Sequence, residues 1–120
     1  MGERNMWGRI LVVASQMTGA TCHLALRVLT ETREVEPALR LLVFVETGEG
    51  ACEYLRGDRL GFGLLILDVG AFTEDQVRLI TGCAGQLASP PVQLTIGEGG
   101  DVTVASVAAE LRKAWGDGVG

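Results

Sequence analysis

Four short apolar runs recur along the chain, and each is followed by a segment in which apolar residues return every three or four positions. The runs are rich in Val, Ile and Leu, and the first three are almost continuously apolar, which is typical of parallel strands buried on both faces. They occupy residues 9–14, 41–45, 64–69 and 92–96. The pattern therefore predicts four strands separated by helical connections.

The segments between the runs have the i, i+3, i+4, i+7 spacing of amphipathic helices. We expect helices over residues 21–34, 49–59, 74–88 and 103–115. Thr73 precedes two acidic residues and a glutamine, so it is the predicted N-cap of the third helix, and the Ser-Pro-Pro sequence at 89–91 predicts where that helix stops. The predicted core residues of the first helix are Leu24, Ala25, Val28 and Leu29.

This alternation of strands and helices predicts a (βα)4 domain, because right-handed crossovers place helices on both faces of a parallel sheet. A strand order of 2-1-3-4 makes it a three-layer, doubly wound α/β domain of the flavodoxin-like kind. In such a sheet the ligand crevice lies between the carboxyl ends of strands 1 and 3, so residues 15–21 and 68–73 are the expected site loops. In an alternative interpretation, residues 101–104 form a short fifth strand.

Composition supports one folded domain over residues 1–120. The 120 residues are 48% hydrophobic and 21% charged, which is enough apolar material for a core and too little charge for disorder. The formal net charge of −5 disfavours nucleic acid as a partner. No apolar run approaches the roughly 18 residues of a membrane span, and no secretory signal is visible. We therefore expect a cytoplasmic protein that does not enter a membrane.

The cysteines and the single histidine suggest no metal or disulfide chemistry. Cys22, Cys52 and Cys83 are widely spaced without a C-x-x-C pair, which argues against a disulfide framework and against a zinc site. Cys22 stands at the predicted start of the first helix, where a thiol can become nucleophilic. His23 is its neighbour, but successive helical residues point about 100° apart, so it is poorly placed as a base. We expect all three cysteines to be buried as small apolar side chains.

Hydroxyl groups and a glycine follow the first strand, where backbone N–H groups at a helix start can bind an anion. The sequence Thr18-Gly19-Ala20-Thr21, with Ser15 before it, resembles the phosphate-binding loop of flavodoxins. The resemblance covers about twenty residues and implies binding of FMN or another nucleotide. Phe72 is the aromatic residue available to stack on a flavin. The residues implied in phosphate binding are Ser15, Thr18, Gly19 and Thr21.

A second resemblance rests on the ends of strands 3 and 4. Asp68 at the end of its apolar strand, and Thr95 after Pro91-Val92, resemble the phospho-acceptor and hydroxyl positions of response-regulator receivers. Receivers carry paired acids after strand 1 to hold magnesium, but here that segment reads Ala14-Ser15-Gln16, and the later Lys-Pro pair is absent. Phosphoryl transfer depends on charge neutralisation. The resemblance therefore implies a degenerate receiver that binds without being phosphorylated.

These observations lead to two hypotheses about function. The first is a non-catalytic, receiver-like regulatory or protein-interaction module with no cofactor and no metal. The alternative is a flavodoxin-like domain that binds a phosphate ligand such as FMN. Acidic residues at three strand ends, Glu46, Asp68 and Glu98, favour a protein partner over a phosphate. The predicted edge strands, 41–45 and 92–96, are also candidates for pairing in a homodimer.

Overall fold

The centre of the molecule is a parallel sheet. The computed structural model describes residues 9–32, 42–57, 62–88, 90–99 and 102–119, and the side chains of that last range only as far as residue 114. The four strands are β1 (Ile10–Val13), β2 (Leu42–Val45), β3 (Leu64–Asp68) and β4 (Val92–Ile96). They pair in the order β2-β1-β3-β4, all parallel, so the predicted order is confirmed.

Helices cover both faces of this sheet. They are α1 (Gln16–Glu31), α2 (Gly48–Gly57), α3 (Glu74–Gly85) and α4 (Val104–Val119), with a short 3₁₀ turn over Val69–Ala71 between β3 and α3. Residues of α1 and α4 form a core with one face, and residues of α2 and α3 form a core with the other. The predicted three-layer, flavodoxin-like (βα)4 fold is therefore confirmed.

The two central strands serve both cores. Side chains of a strand alternate between faces, so β1 and β3 each send every second residue to opposite sides. Ile10 and Ile66 pack under α1 and α4, whereas Leu11 and Leu65 pack under α2 and α3. All four are almost completely buried. This position explains why β1 and β3 are apolar throughout instead of alternating apolar with polar residues.

The first helix begins five residues earlier than predicted, at Gln16 rather than at 21. Ser15 is its N-cap: the side-chain oxygen accepts a hydrogen bond from the backbone N–H of Thr18 at 3.3 Å. Gly19 is a weak helix former, but the Phe44 ring lies so close that a Cβ atom here would come within 3.2 Å of it. The predicted loop over residues 15–21 is therefore the first turn and a half of α1.

The buried face of α1 also differs from the prediction. Ala25 and Leu29 are buried as expected, but Leu24 and Val28 are exposed, and Cys22 and Leu26 are buried instead. The helix packs against both the sheet and α4, so the residues that face this corner are the ones that are covered. Apolar spacing alone could not identify the side on which α4 lies.

The other helices follow the prediction with shifted ends. At α3 the Thr73 hydroxyl accepts a hydrogen bond from the Gln76 N–H at 3.2 Å, and the Gln76 side chain accepts one from the Thr73 N–H at 3.0 Å, so the predicted cap is confirmed. This helix ends at Gly85, before the Ser-Pro-Pro sequence. The ends of α2 and α4 differ from the predicted ends, by one to four residues.

The alternative with a fifth strand does not fit the segment before α4. Val102 and Thr103 belong to no strand, and α4 begins at Val104, while residue 101 lies outside the described residues. Thr103 caps α4 instead: its hydroxyl accepts from the Ser106 N–H at 3.1 Å, and the Ser106 hydroxyl accepts from the Thr103 N–H at 3.0 Å. In the described part of the chain, no helix is long and apolar enough to cross a bilayer.

Candidate functional site

Asp68 ends the central strand β3 and is the one polar or charged residue among the buried side chains of the described residues, with 5% of its surface exposed. Its Oδ1 atom accepts a hydrogen bond of 3.1 Å from the Gly70 N–H, so the carboxylate caps the 3₁₀ turn that follows. A short side chain that accepts from the backbone two residues further on is a common way to start a turn. The carboxylate thus has a structural partner.

Two glycines let the backbone close around this carboxylate. Gly97, just after β4, has φ +82°, a conformation that favours glycine, and a Cβ atom there would collide with Oδ1 of Asp68. A Cβ atom on Gly70 would lie only 2.8 Å from the Gly97 carbonyl oxygen. We call the contact of Asp68, Gly70 and Gly97 the Asp68 cap; it joins the ends of β3 and β4.

The sheet register separates Asp68 from Thr95, the two residues of the receiver resemblance. Asp68 is paired with Ile96, whereas Thr95 is paired with Leu67. Because neighbouring residues of a strand point to opposite faces, Thr95 lies on the α3 side, and Asp68 lies on the side of α1. The negative charge of Asp68 contributes to a raised pKa of the Cys22 thiol on α1, which is consistent with this placement. The structure does not bring the two side chains to one point.

Thr95 shares a groove with Phe72, the residue predicted to stack on a flavin. The groove encloses about 530 Å³, and its lining includes Phe72, Thr95, Arg78 and Glu98. Phe72 is half-buried and packs against the core under α3. Aromatic, hydroxyl, cationic and anionic groups therefore meet at this surface, although Asp68 is not among the lining residues.

The residues of the flavodoxin-like segment are largely engaged with one another in the first turns of α1. The Ser15 hydroxyl donates to the Thr18 hydroxyl at 3.1 Å, and the Ser15 carbonyl accepts from the Gly19 N–H at 2.8 Å. The Thr21 hydroxyl donates to the Met17 carbonyl at 3.2 Å. The segment is a capped helix start and not an open loop.

A cleft opens where α1 begins, beside the carboxyl ends of β1 and β2. It encloses about 410 Å³, and its walls include Ser15, Gly19, His23, Phe44 and Glu46. The His23 and Phe44 rings meet edge to face, with centroids 6.3 Å apart. Sequence reasoning placed only Ser15 and Gly19 in a site. The available sequence signal for this cleft was Phe44, an aromatic residue in the predicted edge strand 41–45.

The acidic strand ends do not converge on one point. Glu46 lines the cleft beside α1, and Glu98 lines the groove beside α3, while Asp68 lies buried between them. Within the described ranges, no group of three or more His, Cys, Asp or Glu side chains is arranged to hold a metal ion. The described carboxylates are therefore spread along the edge of the sheet.

Cys22 is part of the hydrophobic core, and its thiol is unreactive. It is completely buried in α1, and desolvation, together with the negative charge of Asp68, raises the pKa of its thiol to about 12. The nucleophile is the thiolate, so Cys22 is unreactive at neutral pH despite its position near a helix N-terminus. The prediction that the three cysteines are buried is confirmed for all of them.

No protein-family model, no curated protein and no solved structure matches this chain. What defines its class is its own geometry. It is a flavodoxin-like (βα)4 domain in which the carboxylate at the end of the central strand is held by the backbone of the neighbouring turn.

If the Asp68 cap is as described, alanine should be tolerated at Gly99 but not at Gly97. Replacing Gly97 with Ala puts a Cβ atom against Asp68 and forces a positive φ on an alanine, so we expect a loss of about 2 kcal/mol or more in the free energy of unfolding. Gly99 has open space around it and is the matched control, so Gly99→Ala should change stability by less than about 0.5 kcal/mol. Urea denaturation of both variants measures this. Equal stabilities would contradict the described cap.

Proposed function

We propose that this domain is a non-catalytic, receiver-like module that acts by binding another protein and is not phosphorylated on Asp68. The observation that carries the proposal is the Asp68 cap. The carboxylate at the phospho-acceptor position is buried and already accepts the Gly70 N–H. Gly97 closes over the same oxygen. The Asp68 carboxylate therefore has a structural role in stabilising the turn, and no reaction is needed to explain why it lies there.

The chemistry of phosphoryl transfer supports the non-catalytic part of the proposal. An incoming phosphoryl group carries negative charge, and its transfer to a carboxylate depends on cations and donors that neutralise this charge. Paired acids that would recruit a cation are missing after β1, where Ser15 and Gln16 stand. The Thr95 hydroxyl, which would contact the phosphoryl oxygen, lies on the other face of the sheet from Asp68.

The outer face of α1 supports a protein partner. Met17, Leu24 and Val28 are spaced by seven and four residues, so they lie in line on one side of the helix, and all three are exposed. We call these three residues the α1 stripe. Glu46 lies in the cleft at the N-terminal end of this helix, and the chain carries a net charge of −5. A basic amphipathic helix of another protein has the complementary chemistry, with apolar residues for the stripe and a cation for Glu46.

The alternative function, binding of FMN or another nucleotide at the start of α1, has weaker support. The Thr18 and Gly19 N–H groups are bonded to Ser15, and the Glu46 carboxylate in the adjoining cleft would repel a phosphate. The observation that favours a small ligand is the cleft of about 410 Å³ with Phe44 and His23 in its wall. A flavin absorption spectrum of the purified protein would favour this alternative.

Exposure to a small phosphoryl donor tests the non-catalytic claim. We expect no mass gain when the protein is incubated with acetyl phosphate and magnesium, because Asp68 lacks a neutralised site for the phosphoryl group. Intact-protein mass spectrometry measures this, and Asp68→Asn is the control for modification elsewhere. A gain of about 80 Da in the wild type that is missing from Asp68→Asn would overturn the proposal.

The protein-binding claim is tested with synthetic amphipathic helices. We expect a Leu/Lys helix to shift the backbone amide resonances of α1, and a Leu/Glu helix to bind more weakly. Leu24→Gln should weaken binding about fivefold, since it removes an apolar contact worth about 1 kcal/mol. Leu79 on α3 is a matched control, because 46% of it is exposed against 48% of Leu24. Shifts that fall outside α1, or an equal loss in Leu79→Gln, would contradict the proposal.

A further inference from the structure

Two of the three cysteines meet under the helices that cover the second face of the sheet. The Sγ atoms of Cys52 and Cys83 lie 2.7 Å apart, although 31 positions separate the residues in sequence. Both cysteines are free and buried, with exposures of 5% and 4%. A disulfide bond is about 2.05 Å long, so an approach of about 0.7 Å would bring the two sulfur atoms to bonding distance.

The fold places these thiols together for a clear reason. Cys52 lies on the buried side of α2 beside Ala51, and Cys83 lies on the buried side of α3 beside Ala84. The small alanine side chains next to both cysteines are consistent with a close approach of the two helices. The pair therefore belongs to the contact between α2 and α3 and is set by packing, which the spacing of cysteines in the sequence does not reveal.

An arginine covers the pair from the protein surface. The Nη2 atom of Arg56, on α2 one turn after Cys52, donates a hydrogen bond to Sγ of Cys83 at 3.3 Å. Arg56 itself is exposed, so the two thiols lie directly below a solvent-accessible side chain. A neighbouring guanidinium stabilises a thiolate, the form of cysteine that attacks a disulfide.

We propose that Cys52 and Cys83 form a reversible disulfide bond that joins α2 to α3 when the protein meets a small-molecule disulfide. The Cys83 thiolate attacks one sulfur of the small disulfide, which releases one thiolate and leaves a mixed disulfide. The Cys52 thiolate then attacks Sγ of Cys83 and releases the second thiolate. The two cysteines lose two electrons and two protons, and the small disulfide takes them up as two thiols.

The surroundings of the thiols make this exchange selective and slow. Desolvation and the contact with Cys83 raise the pKa of the Cys52 thiol to about 11, against a smaller opposing effect of Arg56. Only a small fraction of Cys52 is therefore thiolate at neutral pH. Cys22 lies in the other core, among the residues under α1 and α4, so it is not packed with this pair. The pair fits a switch that responds to sustained oxidation and reverses with excess thiol.

The bond would close a loop that contains β3 and two of the three residues of the Asp68 cap, Asp68 and Gly70. Residues 52–83 include the whole central strand, the 3₁₀ turn and most of α3. A cross-link of this span restricts the unfolded chain and stabilises the folded one. From the usual effect of disulfides of this size, we expect the Tm to rise by about 10 °C.

The experiment oxidises the folded protein with oxidised glutathione and maps the product. We expect a mass loss of about 2 Da, a tryptic cross-link between peptides 41–56 and 79–112, and one remaining free thiol on peptide 10–27. Cys22→Ser should form the same bond with the same rise in Tm. Cys52→Ser and Cys83→Ser should not, and circular dichroism checks that they are folded. Arg56→Gln should slow bond formation roughly threefold.

Three results would overturn the proposal. One is the accumulation of stable glutathione adducts on Cys52 or Cys83 with no link between the two peptides. Another is a cross-link that involves Cys22 or a second copy of the chain. The third is a 52–83 link that forms in denaturing guanidinium chloride but not in the folded protein, because pairing would then reflect chance encounter and not the α2–α3 contact.

Discussion

The hydrogen bond between Asp68 and the Gly70 N–H ends a strand that is buried along its whole length. A buried carboxylate is costly unless it is hydrogen-bonded, and here the chain provides the donor two residues later. The turn that results directs the chain from β3 into α3. Gly97 must then adopt a positive φ to pass the same oxygen. The Asp68 cap thus fixes how the carboxyl ends of β3 and β4 lie against each other.

The two faces of the sheet have different chemistry. Under α1 and α4 the core is aliphatic apart from Cys22, and the exposed side of α1 carries the apolar stripe proposed to bind a partner. Under α2 and α3 the core contains the Cys52–Cys83 pair, with Arg56 at the surface above it. Asp68 lies between these layers at the end of β3. The two proposals therefore concern opposite faces of the sheet: partner binding on the side of α1, and a disulfide on the side of α2 and α3.

Much of the fold could be predicted from the sequence because β1 and β3 are buried on both sides and admit only apolar residues. The Thr73 cap followed from neighbouring residues, and the strand order followed from the right-handed crossovers of a doubly wound α/β domain. The start of α1 is hard to predict because Gly19 is a weak helix former, whereas the Ser15 cap places it inside the helix. The separation of Asp68 from Thr95 depends on the register of β4, which no local pattern encodes. The Cys52–Cys83 contact likewise arises only when α2 packs on α3.

The claim that Asp68 serves structure and not phosphoryl chemistry is tested most directly by the stability of its variants. Urea denaturation should show Asp68→Asn within about 1 kcal/mol of the wild type, because the amide oxygen can still accept the Gly70 N–H. Asp68→Ala should lose about 1 to 3 kcal/mol, since it removes a partly buried hydrogen bond to a charged group and with it the cap of the 3₁₀ turn. A carboxylate kept for activity commonly reduces stability. An Asp68→Ala protein that is as stable as the wild type, or more stable, would contradict the account.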